Sequence, residues 1–260
     1  MQFLKAAEVR LRRWRNRLAP WRYRGDAVHC PVCEHSFRTF LPAGTGERRR
    51  DAAVCPLCRA RERDRLTWLY LQRSPALFAA APLRLLHIAP EPRLAELFRA
   101  RAGEAYFSAD LMRRDVDLRL DVSALPLADQ CLDAIYCSHV LQDVPDDRAA
   151  LAEFHRVLRP GGWAILNVPL FAERTRDNPR PGKARSPGDV RPDEHLRDYG
   201  HDYLQRLEEA GFEASLTRPE DLVPEAGERH RLGIDGPRTG FVHLATRPAL
   251  SPPPTESGTP

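Results

Sequence analysis

Four cysteines carry the clearest chemistry in this chain: Cys30 and Cys33 in a CPVC turn, and Cys55 and Cys58 in a CPLC turn, with 21 residues between the two turns. Each CxxC turn aims two thiolates at one point, and two such turns complete a tetrahedron around zinc at roughly 2.3 Å per sulfur. With four sulfur ligands there is no open coordination position, so the expected role is structural, ordering a module too small to fold alone. Redox pairs or unrelated thiols are the competing account. His29 and His35 flank the first turn but are not needed as ligands and read as surface residues. Cys131 and Cys137, six apart on an expected strand, share a face and read as core.

Proton-transfer chemistry has two candidate places. Ser138, His139 and Asp143 follow an apolar run at 132–137, and the segment DEHLRDYGHDY gathers His195, Arg197, Tyr199 and His201. A histidine beside a carboxylate can act as a general base near neutral pH. The competing reading of both groups is helix capping and packing.

Positioning these residues calls for an α/β architecture. After a break marked by Pro75 and Pro82, short apolar runs alternate with helical patterns for about 165 residues, the pattern of a mostly parallel sheet with crossover helices. Strands are expected near 84–88, 105–109, 117–120, 132–137, 163–168, 213–217 and 240–246, and helices near 92–102, 147–158 and 200–210. Residues 171–198 show no helical or strand period and read as a long, lid-like loop. Upstream, residues 1–25 hold a basic amphipathic helix with Leu4, Ala7, Leu11, Trp14 and Leu18 on one stripe. The zinc module and a basic helix then occupy 26–74, the α/β domain 80–247, and a frayed tail 248–260.

The stretch CLDAIYCSHVLQDVPDDRAALAEFHRVLRPGGWAILNVP, residues 131–169, resembles the class I S-adenosylmethionine-dependent methyltransferases. Asp133, His139, Glu153, Arg156, Leu158, Pro160, Gly161 and Gly162 stand where that family has like residues. The resemblance implies a seven-stranded Rossmann-like sheet with helices on both faces, here joined to a small N-terminal zinc ribbon. It further implies that Asp110, closing the second strand, meets the cofactor's ribose hydroxyls, and that Asp121 with Val122 meets the adenine. Ser138 would complete the cofactor site. The first loop, LLHIAPEPRL from 85 to 94, departs from the family in having no glycine; His87, Ala89 and Glu91 take the positions facing the cofactor's amino-acid end. His139, His195 and Tyr199 are then the candidates for catalysis.

Composition narrows the remaining choices. With 42% hydrophobic and 29% charged residues the chain is globular material, and no apolar run approaches the roughly 20 residues of a membrane span. The N-terminus lacks the apolar block and cleavage site of a secretory signal, so a cytoplasmic location is expected. Residues 1–74 carry 17 Lys and Arg against 7 Asp and Glu, so the basic character belongs to the N-terminal part, the helix and the zinc module together. The expected activity is methyl transfer to an acceptor the sequence does not identify. One alternative is ribosomal or other RNA as acceptor, gripped by the basic module. Another is a non-catalytic zinc-ribbon binding protein that has lost the cofactor along with the glycine turn.

Overall fold

The computed structural model describes residues 18–46, 49–79, 82–178 and 195–249. Most of the basic helix expected at the N-terminus, Arg48, the middle of the expected lid and nearly all of the tail lie outside the described residues. Two compact units emerge. One takes the described residues of Met1–Ala79 with Pro90–Arg101 and Leu216–Val242; the other takes those of Ala80–Ala89, Ala102–Ser215 and His243–Pro260.

In the first unit two hairpins carry the cysteine turns. Strand β1 (Arg24–Cys30) pairs antiparallel with β2 (His35–Phe37), and β3 (Leu41–Ala43) with β4 (Arg50–Val54). The helix Glu62–Arg73 follows, its amide end closed by Asp64, which accepts from Arg61 N at 2.8 Å. Arg65 on this helix is fully buried. Its guanidinium donates to the carbonyls of Ala53, Ala60, Leu232 and Gly233 at 2.7–3.1 Å and lies 3.9 Å from the centre of the Phe40 ring. These bonds explain why a segment from far along the chain belongs here. Gly233 caps the helix Ala226–Leu232 at φ +62°, and a Cβ there would stand 2.4 Å from Phe40 Cε2. On the other side, Trp68 packs edge-on against Phe98 of the helix Pro92–Ala102, at 6.0 Å.

The main sheet has seven strands: β5 (Leu85–Ile88), β6 (Tyr106–Asp110), β7 (Leu118–Arg119), β8 (Leu132–Ser138), β9 (Leu158–Asn167), β13 (Glu213–Thr217) and β14 (Val242–Thr246). Its order is β13-β14-β9-β8-β5-β6-β7, parallel from β9 to β7, with β14 antiparallel to β9. This bears out the expected fold class. β5 and β8 are buried along their whole length, as central strands covered on both faces must be. The helix Asp147–Val157 starts where Asp146 accepts from Ala149 N at 2.9 Å, and it buries Ala150, Leu151, Phe154 and Val157 at helical spacing. From β5 the chain runs outward through β6 and β7, then returns to β8 on the other side of β5. In a sheet of this kind the ends of β5 and β8, where the strand order reverses, are where a ligand is expected to bind.

Two expectations change. The expected loop at 171–198 is structured at both ends: β10 (Leu170–Ala172), β11 (Arg176–Asp177) and β12 (Arg197–Gly200) form a small sheet in the order β10-β12-β11. The strand expected near 163–168 begins earlier, at Leu158, so that β9 takes in Pro160, Gly161 and Gly162; Gly161 at φ +74° lets the strand exchange bonds with Arg247 there, at 2.8 and 2.9 Å. Among the described residues, no helix is long and apolar enough to cross a membrane.

Candidate functional site

The local sequence folds the loops at these strand ends tightly. Asp110 ends β6, and its Oδ1 accepts from the amides of Met112 and Arg113 at 2.7 and 2.9 Å. Asp121 does the same after β7, its Oδ1 accepting from Ser123 N at 2.8 Å. In each case these bonds are made by Oδ1, which folds the residue's own turn. The loop bearing Asp121 is fastened from behind. Glu153 Oε2 accepts from Leu125 N at 2.6 Å, while Arg156 pairs with Glu153 at 2.8 Å and donates to the carbonyls of Leu125 and Leu127. Glu153 holds the Arg156 guanidinium well above its ordinary pKa, and Arg156 pushes the Glu153 carboxyl down. Val122 is buried in the core beside Asp121.

The glycine-free first loop achieves a glycine's conformation with another residue. Ala89 follows β5 at φ +50°, a left-handed backbone, and its N–H donates to Ala109 O at 2.7 Å. Such a conformation costs a non-glycine residue roughly 1–2 kcal/mol, which the flanking parallel strands must offset. His87 lies elsewhere than expected. Its ring is wholly buried, with Nδ1 3.1 Å from the Tyr106 hydroxyl and the imidazole edge-on to Tyr136 at 4.9 Å, so the side chain packs against the sheet. The reason is register, since a residue one step before the strand end points along a sheet face. Glu91 opens the helix Pro92–Ala102, its carbonyl accepting from Ala95 N at 2.9 Å. It falls in the first unit, where burial first and then the Glu91 carboxylate raise Asp64 to a pKa of about 6.

At the end of β8, Ser138 is buried and its Oγ has no hydrogen-bond partner. His139 next to it takes φ +56°, donating its N–H to Asn167 O at 2.8 Å and receiving Gln142 Nε2 at its carbonyl at 2.6 Å. Asp143 and His195, 52 residues apart in the chain, meet: His195 Nδ1 stands 2.9 Å from Asp143 Oδ1. With Nδ1–H donated to the carboxylate, the lone pair sits on Nε2. Phe171 on β10 lies nearly parallel to the His195 ring, 6.4 Å between centroids and 14° between planes, and is half exposed. Arg197 secures the arrangement, donating to Asp177 Oδ1 at 2.8 Å and to the carbonyls of Val144 and Pro145 at 3.3 Å.

Tyr199 is placed differently from a substrate-touching group. Fully buried, its hydroxyl donates to Asp147 Oδ2 at 2.6 Å, and Asp147 also takes two bonds from Arg206 at 2.6 and 2.7 Å. Burial and the Asp147 carboxylate push its phenol well above the ordinary range. The Asp143 to His195 pairing and the position of Phe171 were not visible in the sequence, since no local spacing signals a contact made by tertiary folding.

The four cysteines form a second centre, in the first unit. All four Sγ atoms lie within 4.8 Å of one another, and the Cys30–Cys58 and Cys33–Cys55 sulfurs are 3.7 Å apart. Sulfurs at the corners of a tetrahedron with roughly 2.3 Å metal bonds stand about 3.8 Å apart, so this set fits zinc without rearrangement. The turns are alike: Glu34 and Arg59, each following the second cysteine, take φ +59° and +68° and donate to the carbonyls of Cys30 and Cys55. His29 and His35 stay outside, with Nδ1 of each engaged by Ser36 Oγ and Cys33 O.

Comparison with known proteins bears on the sheet. Residues 73–166 match the methyltransferase-domain family, a stretch that runs through β5, β6, β7 and β8 and into β9. An uncharacterized methyltransferase of Mycobacteroides abscessus is 38% identical over 94 residues, 36% of this chain and 34% of that protein. An uncharacterized 37.1 kDa protein in transposon TN4556 of Streptomyces fradiae is 44% identical over 59 residues, covering 23% of this chain and 17% of that protein. The chain thus spans about a third or less of the length of these curated relatives. Among solved structures, the 1,6-didemethyltoxoflavin-N1-methyltransferase of Burkholderia thailandensis, determined with S-adenosylhomocysteine, aligns at TM-score 0.46 and 15% identity over 80% of this chain and 99% of that one. Over residues 73–166, then, the chain matches a methyltransferase domain, and the seven-stranded sheet built by that stretch runs beyond it into β14 and β13.

Proposed function

We propose that the protein transfers a methyl group from S-adenosylmethionine to an acceptor by direct in-line displacement, and that its four cysteines hold a structural zinc. The observation that carries the reading is the pair Asp110 and Asp121 after β6 and β7, each making its turn bonds through Oδ1 alone. A carboxylate oxygen at the end of β6 suits the cofactor's ribose diol, and the second suits an amino group on its base. Ser138 offers a hydroxyl still lacking a partner. Ala89 gives the first loop the left-handed turn that brings backbone close to a ligand. When bound, the cofactor would supply a methyl on a sulfonium sulfur, which an acceptor lone pair would displace in line, leaving the acceptor's proton to be taken up.

The chain's part is to hold the acceptor and take that proton. His195 is the group placed for it, its Nδ1 fixed by Asp143 and its Nε2 carrying the lone pair. His139 contributes through its backbone, shaping the turn that leads to Asp143. Tyr199 positions the segment rather than reacting. The net basic charge of residues 1–74 supports a second reading, in which RNA is the acceptor and the zinc-bearing unit grips its phosphates. Titration with S-adenosylhomocysteine tests the first reading, and Asp110→Asn and Asp121→Asn should each weaken binding. Unchanged affinity in both variants would remove the carboxylates from the cofactor site. RNA binding that vanishes with moderate salt, and with Arg49→Ser and Arg50→Ser, would favour the RNA acceptor.

A further inference from the structure

Resting on the methyl-transfer reading, we propose that the acceptor is a small aromatic molecule with an acidic O–H, a phenol or enol, seated against Phe171 with its proton directed at His195 Nε2. Three observations meet here. The first is the dyad: an imidazole oriented by a carboxylate is a general base for an acceptor that carries a proton, and a phenol, far more acidic than an aliphatic alcohol, gives that proton up most readily. A neutral amine brings its own lone pair and needs no such base. The second is Phe171. It presents a half-exposed ring nearly parallel to the His195 imidazole, giving a flat ligand an apolar surface beside the base. The third is polar and lies on the same stretch. Gln142, at 2% exposure, spends its Nε2 on His139 O and on Asp143 Oδ2 at 3.3 Å, and its Oε1 is left without a partner. Ser138 Oγ, four residues earlier, is likewise without one. Gln142 thereby braces both the His139 turn and the Asp143 carboxylate that orients His195.

The proton account is simple. The acceptor's O–H proton passes to His195 Nε2, the imidazolium is stabilised by Asp143, and the proton goes to water after transfer. Asp143 acts through His195 and is a positioning residue.

The test uses 4-nitrophenol and 4-nitrocatechol, whose anions absorb visible light, titrated into the full zinc-loaded chain in the presence of S-adenosylhomocysteine. Saturable binding is expected, with the anion's band growing at a pH where the free phenol is mostly protonated. His195→Gln and Asp143→Asn should both lose that band, and Phe171→Ala, an exposed site that keeps the fold, should weaken binding about tenfold. 4-Nitrobenzyl alcohol, similar in shape but without the acidic proton, should show no spectral change. If S-adenosylhomocysteine binds and neither phenol does, or if the phenols bind equally well to Phe171→Ala and keep their band in His195→Gln, the proposal is overturned while methyl transfer stands. An RNA oligonucleotide that binds and is methylated where the phenols are not would replace the small aromatic acceptor by RNA. Failure of S-adenosylhomocysteine itself to bind would overturn both.

Discussion

Replacing Tyr199 by Phe separates a packing role from a catalytic one. The hydroxyl is lost without opening a cavity, because the ring keeps its place edge-on to Tyr203 at 4.7 Å. What disappears is one bond of 2.6 Å to an ionised carboxylate that is itself 1% exposed. Hydrogen bonds to buried charges contribute about 1.5–3 kcal/mol. Asp147 keeps both bonds from Arg206, with Arg197 3.2 Å away, so its charge is not orphaned and the cost should fall near the lower half, about 2 kcal/mol. At a urea dependence of about 2–3 kcal/mol per molar, the midpoint should drop by roughly 0.7–1 M with an unchanged slope. Urea unfolding followed by circular dichroism gives that number, and calorimetry on the same sample gives the affinity for S-adenosylhomocysteine, which should not change. An unshifted midpoint together with lost methyl transfer would refute the reasoning and return Tyr199 to the reacting site.

Other consequences are as direct. One zinc per chain is expected by metal analysis, and its removal by chelation, or Cys33→Ser, should unfold the hairpins, since structural zinc contributes about 10 kcal/mol or more to such modules; a metal-free preparation with unaltered melting would contradict this. Arg65→Lys should destabilise by about 3 kcal/mol in urea, because an ammonium cannot serve four carbonyls and also lie over Phe40. His243 is fully buried, and burial lowers its pKa from 6.5 to about 4. The unfolded chain therefore binds a proton that the folded one does not as pH falls from 6.5 to 4, and about 3 kcal/mol of stability should be lost across that window. His243→Gln should flatten that part of the stability profile relative to wild type.

How much of this was legible follows from which signals are local. The helices at 92–102 and 147–158 and the strand at 213–217 show in the sequence because Pro92, Asp146 and the run of apolar spacing mark them within a few residues. The cysteine turns are legible for the same reason. The short helices Pro219–Leu222 and Ala226–Leu232 were not, having too few residues to display a period; the second is held by the buried guanidinium of Arg65. Likewise, β10, β11 and β12 are two to four residues each and exist only by pairing across a long connection. The site divides in the same way. Asp110 and Asp121 stand at strand ends that the sequence marks, whereas the fate of His87 and Tyr199 depended on burial, and that of His195 on a partner 52 residues away.

Calorimetric titration of the zinc-loaded chain with S-adenosylhomocysteine tests the central claim most directly. Micromolar binding at one site per chain is predicted, weakened about tenfold, or 1.4 kcal/mol, by Asp110→Asn and by Asp121→Asn. Absence of binding at millimolar ligand, with the fold shown intact by circular dichroism, would contradict the account and leave a methyltransferase-like domain that serves some purpose other than methyl transfer.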